Sequence, residues 1–376
     1  MTLKRLFIQH LRNLEGVDIT PSQQVNLIFG KNGSGKTSLL EAINLLALGR
    51  SFRSHKHKPL INHQQQTFTV FGRVHTDDES DVPIGITRSL NGDASFKANG
   101  VLVPSAADLA VYLPVQVINS DTFLLLEGSP KIRRQFIDWL VFHVEPNFFP
   151  AWKAIQRCLK HRNSLLRRDR IDPFELAPWD KELIGLTNKI HEFRTQCLAQ
   201  FQETLAGLLK EFINIDGIAL SYYRGWDKDK SYADVLEASF ERDRRQGFTH
   251  TGSHRADLKI TVNGLDAAEV LSRGQQKLLV CALKIAQGFV FSHITGRKSV
   301  YLVDDLPAEL DDKHRALLVH WLDNMKTQVF ITGVEGETLL SSWRDKPEVT
   351  PKLFHVEQGR VVEVSESSFV IARHIV

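Results

Sequence analysis

Eight consecutive residues, Gly30-Lys31-Asn32-Gly33-Ser34-Gly35-Lys36-Thr37, fit the pattern G-x-x-x-x-G-K-[ST]. Each position has a chemical reason. The glycines let successive backbone N–H groups turn inward on phosphate oxygens. A helix beginning near Lys36 adds the positive end of its dipole. Lys36 is expected to reach the β- and γ-phosphates of ATP, and the Thr37 hydroxyl to bind Mg²⁺. A second stretch, Val300-Tyr301-Leu302-Val303-Asp304-Asp305, reads as an apolar strand ending in two acids. In phosphoryl-transfer sites such a strand brings a carboxylate to the metal. Asp304 is the expected metal-associated residue, and Asp305 is placed to orient the attacking water.

A third segment, Leu271-Ser272-Arg273-Gly274-Gln275-Gln276, resembles the L-S-G-G-Q signature of ABC ATPases, with Arg in place of the first Gly. That resemblance implies that Ser272, Gly274 and Gln275 meet the γ-phosphate held by a second copy of the chain, so that Ser272 acts in trans. The physics is again that of an anion received at a helix N-terminus. Pro307-Ala308-Glu309-Leu310-Asp311 looks like the D-loop that follows the acidic strand in ABC proteins. Thr332 stands where many of them carry a switch histidine, and Asp305 where many carry Glu. Both departures suit a slow ATPase switch rather than a pump.

These residues need elements to hold them. Residues 3–8 and 25–29 read as strands, and a helix from about Thr37 to Leu48 carries Leu39, Ile43 and Leu46 on one face, with Gly49 as its stop. Residues 67–118 are β-rich, with Asn91-Gly92 and Asn99-Gly100 as hairpin turns. Residues 131–213 are helical in pattern. One helix is expected to bury Trp152, Ile155, Leu159 and Leu166; Pro173 and Pro178 are expected to break the chain before the next. That next helix carries an apolar stripe from Leu183 to Phe212, about 45 Å long. The spacing predicts helices at Leu278–Gln287 and Lys313–Met325 and strands at Val300–Val303 and Val329–Ile331. The fold class is therefore α/β: an ABC-type P-loop ATPase head, residues 1–122 and 215–376, with an inserted helical arm, residues 123–214.

Composition narrows the setting. The net charge of +3 is too small to imply a nucleic-acid surface unless the basic residues cluster. The three cysteines, Cys158, Cys197 and Cys281, lie far apart with no metal-ligand spacing, which fits a reducing interior. The N-terminus lacks the apolar core of a secretory signal. No uncharged apolar run approaches the 18 or so residues of a membrane span. A cytoplasmic protein with no membrane role is expected.

The long interval between Lys36 and Ser272 argues against a transporter subunit, and one moderate helical insertion without a Cys-x-x-Cys hook differs from long coiled-coil SMC proteins. The chain resembles the RecF family instead. The resemblance rests on Leu11-Arg12-Asn13, on Gly49-Arg50-Ser51-Phe52-Arg53-Ser54, on Gly128 to Asp138 (GSPKIRRQFID), and on Gly252-Ser253-His254-Arg255-Ala256-Asp257, with Ser253 where that family has Pro. It implies that Arg12 and Asn13 join the nucleotide site and that ATP drives a head-to-tail homodimer. It further implies association with double-stranded and single-stranded DNA at gaps, and work with RecR and RecO to promote RecA loading in recombinational repair and replication restart. The best local DNA candidate is the segment 150–171, with seven basic residues against one acid, Asp169. Lys153, Arg157, Lys160, Arg167 and Arg168 project from one side of it. Arg50, Arg53, Arg133 and Arg134 are weaker candidates.

Overall fold

The first strand shows how the chain builds its core. In β1 (Thr2–Leu11) Leu3, Leu6, Ile8 and Leu11 are fully buried, and a tight turn at Arg12 and Asn13 returns the chain as β2 (Leu14–Ile19). Next, β3 (Val25–Phe29) is buried at four of five positions, the pattern of a strand covered on both faces. The phosphate loop follows it, then helix α1 (Lys36–Leu48), which Gly49 ends in the left-handed conformation. Strands β4 (Thr67–His75), β5 (Asp81–Ser89), β6 (Ala94–Ala98) and β7 (Val101–Val103) complete an antiparallel sheet of order β2-β1-β4-β5-β6-β7. The β6–β7 turn has positive φ at both Asn99 and Gly100, as the Asn-Gly pair predicts. Then β8 (Val115–Ile118) leads away. The computed structural model describes residues 1–365 apart from residues 55, 78, 213–214, 307–309, 345 and 347.

The chain forms two compact units, Met1–Thr122 with Phe291–Val376, and Phe123–Val290. The second unit contains α2 (Pro130–Val144), α3 (Phe148–Leu166) and the 40-residue α4 (Pro173–Phe212). Two expectations need correction here. Pro173 and Pro178 do not break the chain: Pro173 opens α4 and Pro178 lies inside it. Pro is well placed at a first helical position, and in the second turn it removes only one backbone bond, toward Phe174, which is 88% exposed. Trp152 is not on the packed face of α3: Ile155, Leu159 and Leu166 are buried, whereas Trp152 is 39% exposed.

The same unit adds β9 (Ile218–Tyr223), β10 (Asp257–Val262) and the short β11 (Leu265–Asp266) as an antiparallel sheet of order β11-β10-β9. The contacts thus divide differently from the expected boundary at residue 215. The reason is a pair of braces. Arg133 of α2 grips both carboxylate oxygens of Asp257 at 2.7 and 3.0 Å, and Arg134 donates to the Ala256 carbonyl at 2.6 Å. Arg194 of α4 likewise holds Asp138 at 2.7 and 2.9 Å and donates to the Ser253 carbonyl. The stretches Gly128 to Asp138 and Gly252 to Asp257 are therefore fastened to one another, and Arg133 and Arg134 are not free for phosphate.

Helix α5 (Arg273–Thr295) carries the chain back to the first unit. By length and composition it could cross a membrane, but 67% of its apolar window is buried within the protein, as for a core helix. After β12 (Val300–Val303), α6 (Asp312–Asn324), β13 (Val329–Gly333), β14 (Lys352–Glu357) and β15 (Arg360–Val364), the first unit holds a second sheet, β15-β14-β3-β13-β12-β8. All its neighbours run parallel except β14 and β15. Residues of both sheets and of α1 share one core, among them Leu6, Ile43, Val70, Leu302 and Phe354. This is the α/β architecture of an ABC-type P-loop head, with a helical insertion in the sequence between its halves.

Candidate nucleotide site

Parallel neighbours β3 and β13, and β13 and β12, bring three strand ends together: the loop after Phe29, Thr332, and the Asp304–Asp305 pair. The phosphate loop needs its glycines. Gly30 has φ +150° and Gly35 φ +123°, and a Cβ at Gly30 would stand 2.2 Å from the Val356 carbonyl oxygen. The loop is tied from outside as well. The Asn13 amide donates to the Ser34 carbonyl at 3.0 Å and accepts from the Ser38 hydroxyl at 3.1 Å. Arg12 binds Glu41 through two 2.9 Å contacts and donates to the Pro59 carbonyl. Glu41 is wholly buried, so the pair fixes the turn against α1.

Inside the loop, Lys36 Nζ donates to the carbonyls of Gly30 at 2.7 Å and Lys31 at 3.0 Å. Burial pulls its pKa below the usual lysine value, against the attraction of Asp305 and Asp304. Thr37 Oγ1 donates to the Asp304 carboxylate at 3.0 Å. Thr332 Oγ1 also donates to it, at 2.7 Å, and accepts the Asp305 N–H at 2.7 Å. Asp305 has a left-handed backbone, φ +53°, unusual for a non-glycine residue. Burial raises the Asp304 pKa, opposed by the hydrogen bonds from Thr332 and Thr37. The half-buried Thr37 hydroxyl and the Asp304 carboxylate facing it are hard oxygen donors of the kind Mg²⁺ takes while keeping several waters, so the donor set fits that ion.

These groups line one cavity of about 870 Å³ with Arg12, Asn13, Asn32, Gly33, Arg53 and His63. It is large enough for a nucleotide. The sequence reading named Lys36, Thr37, Asp304, Asp305, Arg12 and Asn13, and all six line the same space. It missed Glu41, whose burial under Arg12 has no sequence signature, and it missed the wall formed by Pro59, Ile61, Asn62 and Gln65. Arg53, a weak DNA candidate, belongs to this cavity and helps to offset the rise in the Asp304 pKa.

The signature lies in the second unit. Ser272 caps α5 reciprocally: its N–H donates to Gln275 Oε1 at 2.9 Å, and the Gln275 N–H approaches Ser272 Oγ at 3.4 Å. Arg273, in the place of glycine, pairs with Glu127. Ser272, Arg273 and Gly274 are exposed. Of the expected D-loop, Pro307, Ala308 and Glu309 lie outside the described residues, and Asp311 caps α6 by accepting the His314 N–H at 2.9 Å.

The expected DNA residues sit on or just beyond α3. Arg157 pairs with Glu182 at 2.9 Å and Arg168 with Glu175 at 2.5 Å. Arg167 donates to the Gly247 carbonyl at 3.2 Å. Lys153 lies 5.4 Å from the centre of the Phe149 ring.

A glycine-rich phosphate loop, an acidic strand, a signature helix and a moderate helical insertion define an ABC-type ATPase of the SMC-related kind. Comparison with known proteins agrees. The RecF/RecN/SMC N-terminal domain family matches residues 2–360. The DNA replication and repair protein RecF of Cellvibrio japonicus is 71% identical over 361 residues, 96% of this chain and 99% of that protein. RecF of Pseudomonas putida (strain GB-1) is 47% identical over 366 residues, 97% of this chain and 99% of that one. A solved structure of the recombination mediator RecF with ATP superposes with a TM-score of 0.85 at 27% identity, covering 97% of this chain and 98% of the other. The SMC head domain of Pyrococcus yayanosii, 13% identical, shares the fold with a TM-score of 0.58, covering 99% of each chain. This chain belongs to the RecF family.

Proposed function

We propose that this protein is an ATP-dependent DNA-binding protein of recombinational repair and replication restart, using slow, DNA-stimulated ATP hydrolysis as a conformational switch. The observation that carries the reading is the Thr37–Asp304–Thr332–Asp305 constellation beside Lys36, in a chain so similar to RecF proteins. Residues Gly30, Lys31, Asn32, Gly33, Ser34 and Gly35 wrap the phosphates with backbone N–H groups, and Arg12 and Asn13 close the site. Lys36 leaves its loop carbonyls for the β- and γ-phosphates. Thr37 and Asp304 hold Mg²⁺, which supplies charge neutralisation at the phosphates when bound. Asp305 orients the attacking water, and Thr332 fixes where that carboxylate stands.

Ser272, with Gly274 and Gln275, completes the site of a second copy in an ATP-dependent, head-to-tail homodimer. For catalysis the working head is 1–122 with 215–376, even though the signature folds with the helices of 123–214. The partners are double-stranded and single-stranded DNA at gaps, with RecR and RecO, and the outcome is RecA loading in the cytoplasm. Lys153, Arg157, Lys160, Arg167 and Arg168 supply phosphate contacts.

The test is ATP turnover by the purified protein with and without gapped DNA. Slow basal turnover that rises on adding DNA is expected. Turnover indifferent to DNA of every form would sink the switch reading.

A further inference from the structure

Trp152 stands at the margin of the buried stripe of its helix, about 20° from Leu159 at 100° per residue. At 100° per residue, Phe149, Trp152, Lys153, Gln156, Arg157 and Lys160 share one side of α3, while Ile155, Cys158 and Arg162 face inward. Trp152 is 39% exposed, and its ring lies 6.3 Å from that of Phe149 and nearly parallel to it, at 11°. Phe142 of α2 meets Phe149 edge-on at 5.6 Å. The aromatic end of this face thus continues across two helices. The rest of the face is cationic.

No acidic residue occurs anywhere in the 19 residues of α3. Two acids from adjoining segments are already engaged: Glu182 pairs with Arg157, and Glu145 accepts the Asn147 N–H. Lys153 and Lys160 have no carboxylate partner among the described residues. An apolar peptide could use the rings but would leave both cations without a counter-charge, Lys153 having the Phe149 ring 5.4 Å from its Nζ. A nucleic-acid strand uses both, because stacking on an aromatic ring asks only for a base face, and the phosphates then run along the lysines. Paired bases offer edges rather than faces, so the rings select unpaired nucleotides. From Phe149 to Lys160 the helix rises about 16 Å, room for a few nucleotides.

Resting on the proposal that α3 meets DNA, we infer that its exposed face is a single-strand platform, with Trp152 and Phe149 stacking unpaired bases and Lys153 and Lys160 holding their phosphates. The two parts are separable. Stacking depends on bases and hardly on salt; the lysine contacts depend on phosphates and on salt.

Fluorescence anisotropy of the full chain with three probes tests it: a dT 15-mer, an abasic 15-mer with the same phosphates, and a 15-base-pair duplex. Trp152→Ala should weaken dT binding roughly tenfold and leave the other two probes and the salt slope unchanged. Trp152→Phe should retain most of the dT affinity, which a purely packing role would not explain. Lys153→Ala with Lys160→Ala should weaken all three probes and lower the single-strand salt slope by about 1.4. If Trp152→Ala weakens dT and abasic strands equally, or neither, the stacking platform is overturned. Should the lysine pair still matter in that case, DNA binding at α3 stands without it. If no variant affects any probe, the DNA assignment of α3 falls as well.

Discussion

The phosphate loop and the signature turn both offer backbone N–H groups at the start of a helix, yet they are built in opposite ways. The loop is folded on itself and fastened from outside: Lys36 holds two of its carbonyls, and Asn13 holds a third. The signature turn is open. Ser272 and Gln275 satisfy each other, Arg273 reaches Glu127, and the small residues face outward. The first is organised to receive an anion by itself. The second is a helix start with Ser272, Arg273 and Gly274 exposed, which suits the proposal that another molecule completes it.

The largest effect should come from the organised half. Lys36→Met removes the charge-assisted contact to the β- and γ-phosphates, so ATP affinity should fall roughly a hundredfold. Titration with a fluorescent ATP analogue measures this, and an unchanged affinity would remove Lys36 from the site. Next comes the chemistry between the strands. Asp305→Asn should slow turnover about a hundredfold while ATP still binds. Thr332→Val should slow it about tenfold, with Thr332→Ser restoring most of the loss. Parallel losses of ATP affinity in these variants would mean that the hydroxyl–carboxylate chain builds the pocket rather than positioning the water.

Damage to the open half should look different. Ser272→Arg should leave monomeric ATP binding within about twofold but abolish the proposed ATP-dependent dimer, with sedimentation as the readout, since the bulky cation would fill the seam. A Ser272→Arg protein that still dimerises with ATP contradicts the trans arrangement. The smallest effect concerns stability. Asp304 has a raised pKa, so the stabilisation linked to its protonated form is complete below its ordinary value and is lost as pH rises through the higher folded value. Once ionised, the carboxylate therefore works against the nucleotide-free fold. Asp304→Asn should raise the thermal midpoint without nucleotide while lowering the Mg²⁺ dependence of ATP binding. Calorimetry showing a lower midpoint would indicate that the bonds from Thr37 and Thr332 outweigh the burial of charge.

The nucleotide site was legible because each position of G-x-x-x-x-G-K-[ST] is demanded separately by chemistry, and because that loop gives meaning to an apolar strand ending in two acids, which alone is an ordinary feature. Thr332 drew notice only as a departure; its bonds to both acids depend on the register of β13 beside β12. The arginines misled for a physical reason. Sequence reports charge but not the facing carboxylate, and Asp257 lies far along the chain from Arg133. Pro178 misled because a proline's cost depends on which turn it occupies. Trp152 misled because its spacing fits both edges of the apolar stripe, and only the packing of α3 decides which side is covered. The boundary at residue 215 was drawn where strands resume; the braces from Arg133 and Arg194 decide where those strands belong.

One tie to the phosphate loop comes from the far end of the chain. The Gly359 N–H, in the turn between β14 and β15, donates to the Ser34 carbonyl at 2.8 Å. A Cβ on Gly359 would meet the Asn13 carbonyl oxygen at 2.0 Å. The last hairpin therefore acts as a latch, closing over a loop more than three hundred residues earlier in synthesis. A chain released before this hairpin is made would have its lysine and threonine in place but one fastener missing. The phosphate loop therefore lacks one of its fasteners until the segment around Gly359 has been made.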